Sequence, residues 1–290
     1  MIRAVDASSA VSRTAIMTAV ACALHREEPQ PHVLDDSLAL PLAGEGGAAI
    51  RRQLESTLSP ESLQAFSRWC CVRSRFPENV VERELTLHGI DQYVVLGAGL
   101  DTFAERRTDL LNRLRVFEVD HPATQQWKRA RLEELGVTCP ANLVFAPVDF
   151  ERETLGDALR SAAFNFQSPA VFAWIGVTMF LTLDAIVSTL DLVARCADRT
   201  QIVLTYNLPP EVLGELGAQT DAAISQIAAG MDEPMISRFT PNDIEVLMAD
   251  RGFTELVHLG PDEARALYFE NRPDVRFGGA QRIIAGTVRR

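Results

Sequence analysis

Ten consecutive residues, Tyr93-Val94-Val95-Leu96-Gly97-Ala98-Gly99-Leu100-Asp101-Thr102, restrict the possible folds more than any other stretch of the chain. The first four form an aromatic and β-branched run, which reads as a buried strand. The glycines after it force a tight turn in which backbone N–H groups can come close to a ligand. A strand running into such a turn opens many nucleotide sites and also some empty turns, so the residues further along the chain decide its meaning.

From Ile90 onward the pattern alternates. Strands are expected at 92–97, 115–119, 142–146, 169–174 and 200–206, with helices near 103–113, 121–136, 152–161 and 182–197 between them. Strand and helix in turn imply right-handed crossovers and a parallel sheet covered on both faces. After Tyr206 we expect a helical insertion at about 208–240, with helix from about 209 to 230, and then a helix opened by Thr240-Pro241-Asn242-Asp243. A strand at 254–259, a short helix at 261–268 and a last strand at 281–288 complete the chain. The fold class is therefore α/β, a doubly wound and mostly parallel seven-stranded sheet. Residues 1–88 read as helical throughout and are expected to form an N-terminal helical cap on the domain at 89–290. One helix spans 12–25, and another comes after the break at Gly44 to Gly47, starting at Ala48. A third, opened by Ser59-Pro60-Glu61, runs to Phe76, with a further helix after Pro77.

Composition narrows the partners. A net charge of −11 repels phosphate backbones and anionic membranes, and the paired arginines make no basic stripe, so neither nucleic acid nor membrane is expected as a partner. The five cysteines are odd in number and lack CxxC spacing, and the five histidines lack ligand spacing, so no metal is expected. The apolar run at 169–187 breaks into strand, loop and helix rather than a membrane span, and no secretory signal opens the chain, which points to the cytoplasm.

In an open parallel sheet ligands bind beyond the carboxyl ends of the strands. The first strand ends at Gly97-Ala98-Gly99, and the second ends at Asp120, about 20 residues on, a spacing suited to gripping ribose hydroxyls. Asp149-Phe150 comes after the third strand, where a carboxylate can accept from an adenine amine while the ring packs on its face. Trp174 ends the fourth strand and Tyr206-Asn207 the fifth. Asp120 and Asp149 could instead cap the helices behind them, and Trp174 could belong to the core. Together these strand ends describe an adenosine pocket.

The segments 94–102 (VVLGAGLDT), 117–122 (FEVDHP), 147–150 (PVDF) and 172–182 (FAWIGVTMFLT) resemble the S-adenosylmethionine-dependent methyltransferases related to leucine carboxyl methyltransferase. That group includes bacterial polyketide and natural-product O-methyltransferases. The likeness extends to Ser12-Arg13-Thr14-Ala15, Asp35-Asp36 with Leu38-Ala39, Arg73-Ser74-Arg75-Phe76 and Gly252-Phe253. It implies a Rossmann-like class I methyltransferase fold with S-adenosyl-L-methionine as cofactor. It also implies that Gly97, Ala98, Gly99 and Asp101 form the turn beside the cofactor's methionine part, Asp120 holds the ribose, Asp149 and Phe150 contact adenine, and Trp174 stands at the site. Arg73 would reach the cofactor carboxylate, with Arg75 as its substitute if the helix register differs. Ile175 stands where many relatives carry glutamate.

Methyl transfer from a sulfonium requires an in-line approach and a dry site. A carboxylate acceptor is already ionised at pH 7, whereas a phenol or alcohol usually needs a base. The lack of an obvious base leans towards carboxyl methylation of a small-molecule acceptor, with His25 and Tyr206 as the candidate bases for a hydroxyl. Two other readings remain open: an NAD-dependent oxidoreductase, which Thr102 at the third-glycine position disfavours, and a cofactor-binding relative without catalysis, suggested by Ile175.

Overall fold

A computed structural model describes residues 12–110, 112–149, 152–270, 272 and 274–290. Its seven strands are β1 (Gln92–Leu96), β2 (Arg115–Asp120), β3 (Leu143–Pro147), β4 (Val171–Trp174), β5 (Gln201–Asn207), β6 (Phe253–Leu259) and β7 (Gln281–Val288). They form one sheet in the order β3-β2-β1-β4-β5-β7-β6, and only β7 runs antiparallel to its neighbours. The strand order reverses between β1 and β4, which places a ligand crevice beyond Leu96 and Trp174. This is the doubly wound sheet that the alternating pattern predicts.

Side chains alternate across the sheet and separate two cores. Val94, Leu96, Phe117, Trp174 and Tyr206 face α6 (Leu155–Ser161), α7 (Leu183–Ala194) and α9 (Pro241–Ala249). Tyr93, Val95, Val116, Ala173 and Val203 face α3 (Pro60–His88), α4 (Phe103–Arg106) and α10 (Pro261–Tyr268). A third cluster joins α1 (Arg13–Arg26), α2 (Ala39–Thr57), the first half of α3 and α8 (Glu215–Ala229), with Leu132 from α5 (Pro122–Glu134).

The helices depart from expectation in three places. Proline at 77 does not divide α3. Its missing N–H leaves the Arg73 carbonyl without its usual partner, but Pro77, Val80 and Val81 are buried, and packing on the sheet holds the helix through the defect. The Ser59 hydroxyl accepts from the Ser62 amide at 3.1 Å with Pro60 in the first turn, and Gly89 ends the helix at φ +65°, as the cap residues predict. The span α2 starts at Ala39, where no helix was expected, and consists of two helical pieces that meet at the expected break: Gly44 is non-helical, with φ +60° and ψ −154°, and the second piece resumes before Ala48. The helix expected near 103–113 is α4 with a 3₁₀ turn at Thr108–Leu110 behind it. The apolar run at 169–187 is β4, a loop and the start of α7, and no helix among the described residues is long and apolar enough to cross a membrane.

Behind the glycine turn lies a dry cluster of charge. The Lys128 ammonium on α5 donates to both Glu118 oxygens at 2.7 and 2.8 Å and to the Asp101 carbonyl at 2.5 Å, with Glu105 at 3.6 Å. The carboxyl groups of Glu118 and Glu105 face this one cation. Burial, opposed by Lys128, pushes the Glu118 carboxyl up to about 8 from an ordinary 4.5. Because the folded value is the raised one, this stabilisation is complete below about 4.5 and is lost as pH rises through about 8. Thermal melts from pH 5 to 9 are therefore expected to show falling stability, by at most about 1.4 kcal/mol per pH unit from this group. Glu118→Gln should flatten that slope; an unchanged slope would exclude Glu118 as its source.

Candidate active site

A cavity of about 280 Å³ opens where β1 and β4 part, roofed by α1 and α8 and walled by α3. Its floor is the glycine turn. Gly97 and Gly99 have φ of +67° and +53°, a region that costs other residues about 1–2 kcal/mol. The turn folds back on β2: the Gly97 and Ala98 amides donate to the Val119 carbonyl at 2.8 and 3.1 Å. The Gly99 amide donates to Asp120 Oδ2 at 2.6 Å. The freedom of these glycines serves the protein itself, because a Cβ on Gly97 would meet Val177 Cγ2 at 2.5 Å and one on Gly99 would meet Ala15 Cβ at 2.9 Å.

Asp120 closes this wall. Its second oxygen accepts from the His121 amide at 2.7 Å, and burial raises its carboxyl against those backbone bonds. Each oxygen keeps a lone pair that can accept from a hydroxyl in the cavity. Asp101 also lines the cavity, with Oδ1 accepting from the Phe103 amide at 2.8 Å. Thr102 is buried; it donates to Asp36 at 2.7 Å and accepts from Arg106 at 2.8 Å, so the third-glycine position is a hydrogen-bond node.

Arg73 enters from α3. It is 7% exposed, and its guanidinium donates to Gln281 Oε1 at 2.7 Å and Thr18 Oγ1 at 2.8 Å. Its Nε is buried without a partner, and no carboxylate among the described residues pairs with it. A buried cation held only by neutral groups is costly, and the missing partner is an anion. Gly176, at φ +75°, clears the way: a Cβ there would stand 3.3 Å from three guanidinium atoms. Arg75 points elsewhere, to Glu78 and Glu82 at 3.0 Å, so the register selects Arg73.

Other nominated residues stand apart. Trp174 and Tyr206 point into the opposite core, one position out of phase with the cavity-lining Ala173, Ile175 and Asn207. The Tyr206 hydroxyl pairs with His258 Nδ1 at 3.0 Å, and burial pushes it up to about 12. His25 is buried, and its Nε2 accepts from the Val33 amide at 3.2 Å, tying the turn after α1. Neither candidate base lines the cavity. Asp149 lies 3.5 Å from Arg152 and is not part of the lining, and Phe150 falls outside the described residues.

The cavity also gathers groups that sequence reasoning did not nominate, Thr18, Gln281 and Glu233, and of the strand end Tyr206-Asn207 it takes Asn207. Glu233 accepts from the Ser12 hydroxyl at 3.0 Å, the Arg13 amide at 3.1 Å and the Thr14 hydroxyl, fastening the start of α1 to the loop after α8. Parity along β5 could have revealed Asn207. The Glu233 contacts span more than 200 residues and leave no local signal.

The sheet order and the crevice at its switch point define a Rossmann-like, class I methyltransferase fold. Two solved structures share it: a DUF574 family protein of Streptomyces avermitilis MA-4680 and a protein of Thermobifida fusca YX assigned as a methyltransferase. The first has a TM-score of 0.59 at 15% identity and covers 96% of this chain and 97% of its own. The second has a TM-score of 0.59 at 17% identity, with 98% and 97% covered. In sequence, residues 15–194 match the model of the leucine carboxyl methyltransferase family. YktD of Bacillus subtilis (strain 168), named as an S-adenosyl-L-methionine-dependent methyltransferase, is 33% identical over 91% of this chain and 93% of its own length. The chain belongs to the leucine carboxyl methyltransferase family; it is an S-adenosylmethionine-dependent methyltransferase. The chemistry of the cavity fits that cofactor: it offers a buried guanidinium with no ion-pair partner among the described residues and, in Asp120, a carboxylate able to accept from hydroxyls.

Proposed function

We propose that the protein is an O-methyltransferase that esterifies the carboxylate of a small organic molecule in natural-product metabolism, with a hydroxyl as the alternative acceptor atom. One observation carries this reading: no histidine or lysine lines the cavity among the described residues, and each lining carboxylate is already engaged by donors. Asp36 accepts from Thr102 and two backbone amides, Asp221 from Arg238 at 2.9 Å, and Glu233 from the start of α1. A phenol or alcohol would need a base free to take its proton. A carboxylate acceptor needs none.

When bound, the cofactor supplies an electrophilic methyl group on a sulfonium. The chain's own residues then bind, orient and dry. Arg73 and Asp120 anchor the two ends of the cofactor, and the glycine turn sets its depth. In this reading residues 1–88 are the cap, of which 1–11 lie outside the described residues: α1 and α3 border the site, and the acceptor enters between α1 and α8. Met179, Phe180, Ile224 and Met235 offer an apolar bed that excludes water around the reacting atoms.

Incubation with methyl-labelled cofactor and a panel of carboxylic acids and phenols tests the assignment. We expect carboxylic acids to take up label, with a maximal rate that changes little from pH 6 to 8. Transfer confined to phenols, with a rate rising about tenfold per pH unit as a phenol ionises, would assign the hydroxyl instead.

A further inference from the structure

A second cavity, of about 260 Å³, opens at the far end of α3, between that helix, the start of β5 and the β6–β7 pair. It shares no lining residue with the first cavity. Arg83, His88, Arg199 and Arg289 line it together with Glu84 and Glu255. Two of the charges are matched: Arg83 pairs with Glu84 at 2.9 Å, and Arg289 with Glu255 at 2.8 Å. Arg199 is not. No carboxylate among the described residues lies within ion-pairing distance of it, and its Nε is buried without a partner. Its Nη2 stands 2.5 Å from His88 Nε2. A guanidinium has no acceptor atom, so it donates and the imidazole nitrogen accepts. The lining therefore carries three guanidinium groups against two carboxylates.

Its backbone is also unusual. Of four non-glycine residues with positive φ among the described residues, two border this cavity: Arg199 at +68° and Glu255 at +52°. Glu255 falls in the irregularity that interrupts the β6–β7 register between Thr254 and Val257. Such outliers persist where surrounding structure maintains them, and bulges re-aim side chains beside sites.

We propose that this cavity binds a small oxyanion, the phosphate or carboxylate group of a small molecule, on the fork of Arg199, with Arg83 and Arg289 at its rim. The planar fork matches two oxygens of such a group at once. Like Arg73 in the middle of α3, Arg199 has no carboxylate partner among the described residues.

Calorimetric titration of the full chain with inorganic phosphate and, separately, with citrate tests this. Arg199→Gly is the informative variant, because glycine adopts φ +68° freely while the guanidinium is lost. Arg199→Asn, which also tolerates that region, guards against a folding failure. We expect phosphate or citrate to bind the wild type and Arg73→Met alike, and to bind both Arg199 variants at least about tenfold more weakly. The anion that binds identifies the ligand's acidic group. Absence of binding to the wild type, equal affinity in the Arg199 variants, or loss in Arg73→Met instead would overturn the proposal.

Discussion

Replacing Arg73 with methionine is expected to weaken S-adenosylhomocysteine binding by about 100-fold, as when one partner of a buried charge pair is removed at a cost of 2–5 kcal/mol. The same change is expected to leave the ligand-free protein at least as stable as the wild type. Arg73 is 7% exposed, is hydrogen-bonded among the described residues to Gln281 and Thr18 alone, and has an Nε without a partner among them. Exchanging a buried, unmatched charge for an apolar side chain of similar length is neutral or stabilising. Opposite effects on affinity and melting temperature separate an anion-binding role from a structural one. A variant that melts well below the wild type yet binds with wild-type affinity would make Arg73 a scaffold residue.

The second large effect is expected from Gly97→Ala. The substitution meets two penalties: about 1–2 kcal/mol for a Cβ at φ +67°, and about 1–3 kcal/mol for overlap with Val177, whose Cγ2 would lie 2.5 Å away. Val177 itself lines the cavity, so its displacement narrows the site, and cofactor affinity should fall at least tenfold. Val177→Ala in the same chain removes the overlap but not the strained φ, and should restore most of the affinity and part of the stability. Wild-type affinity in Gly97→Ala alone would show that the turn does not shape the site.

These two residues also mark what a sequence can disclose. The glycine turn and Asp120 were legible because they depend on local backbone: a strand, a forced turn, and an acid at the end of the next strand, all within one β-α-β unit. The sheet was legible from the alternation of its elements. Arg73 was visible only through resemblance, since nothing local separates it from Arg75; the difference lies in the face of α3, which brings Arg73 to Gln281 and turns Arg75 to Glu82. Trp174 and Tyr206 failed by one residue. Strand ends were located correctly, but parity was not applied, and Ala173, Ile175 and Asn207 face the cavity instead. Proline at 77 misled because packing outweighed a local rule. Glu233 and Gln281 reach the cavity through tertiary contacts far apart in sequence, which no window of residues contains.

The structure also alters the meaning of the opening motif. Glycine at 97 and 99 suggested close approach to a ligand, whereas the atoms that a side chain would strike belong to Val177 and Ala15. The turn is tight because β4's exit and α1 press on it, and the cavity wall results from that packing. Lys128 adds a second restraint by holding the Asp101 carbonyl from below.

The most direct test is calorimetric titration of the unmodified chain with S-adenosylhomocysteine and, separately, with NAD. One S-adenosylhomocysteine per chain is expected to bind, with no heat from NAD. Binding of NAD without S-adenosylhomocysteine would contradict the assignment of this cavity.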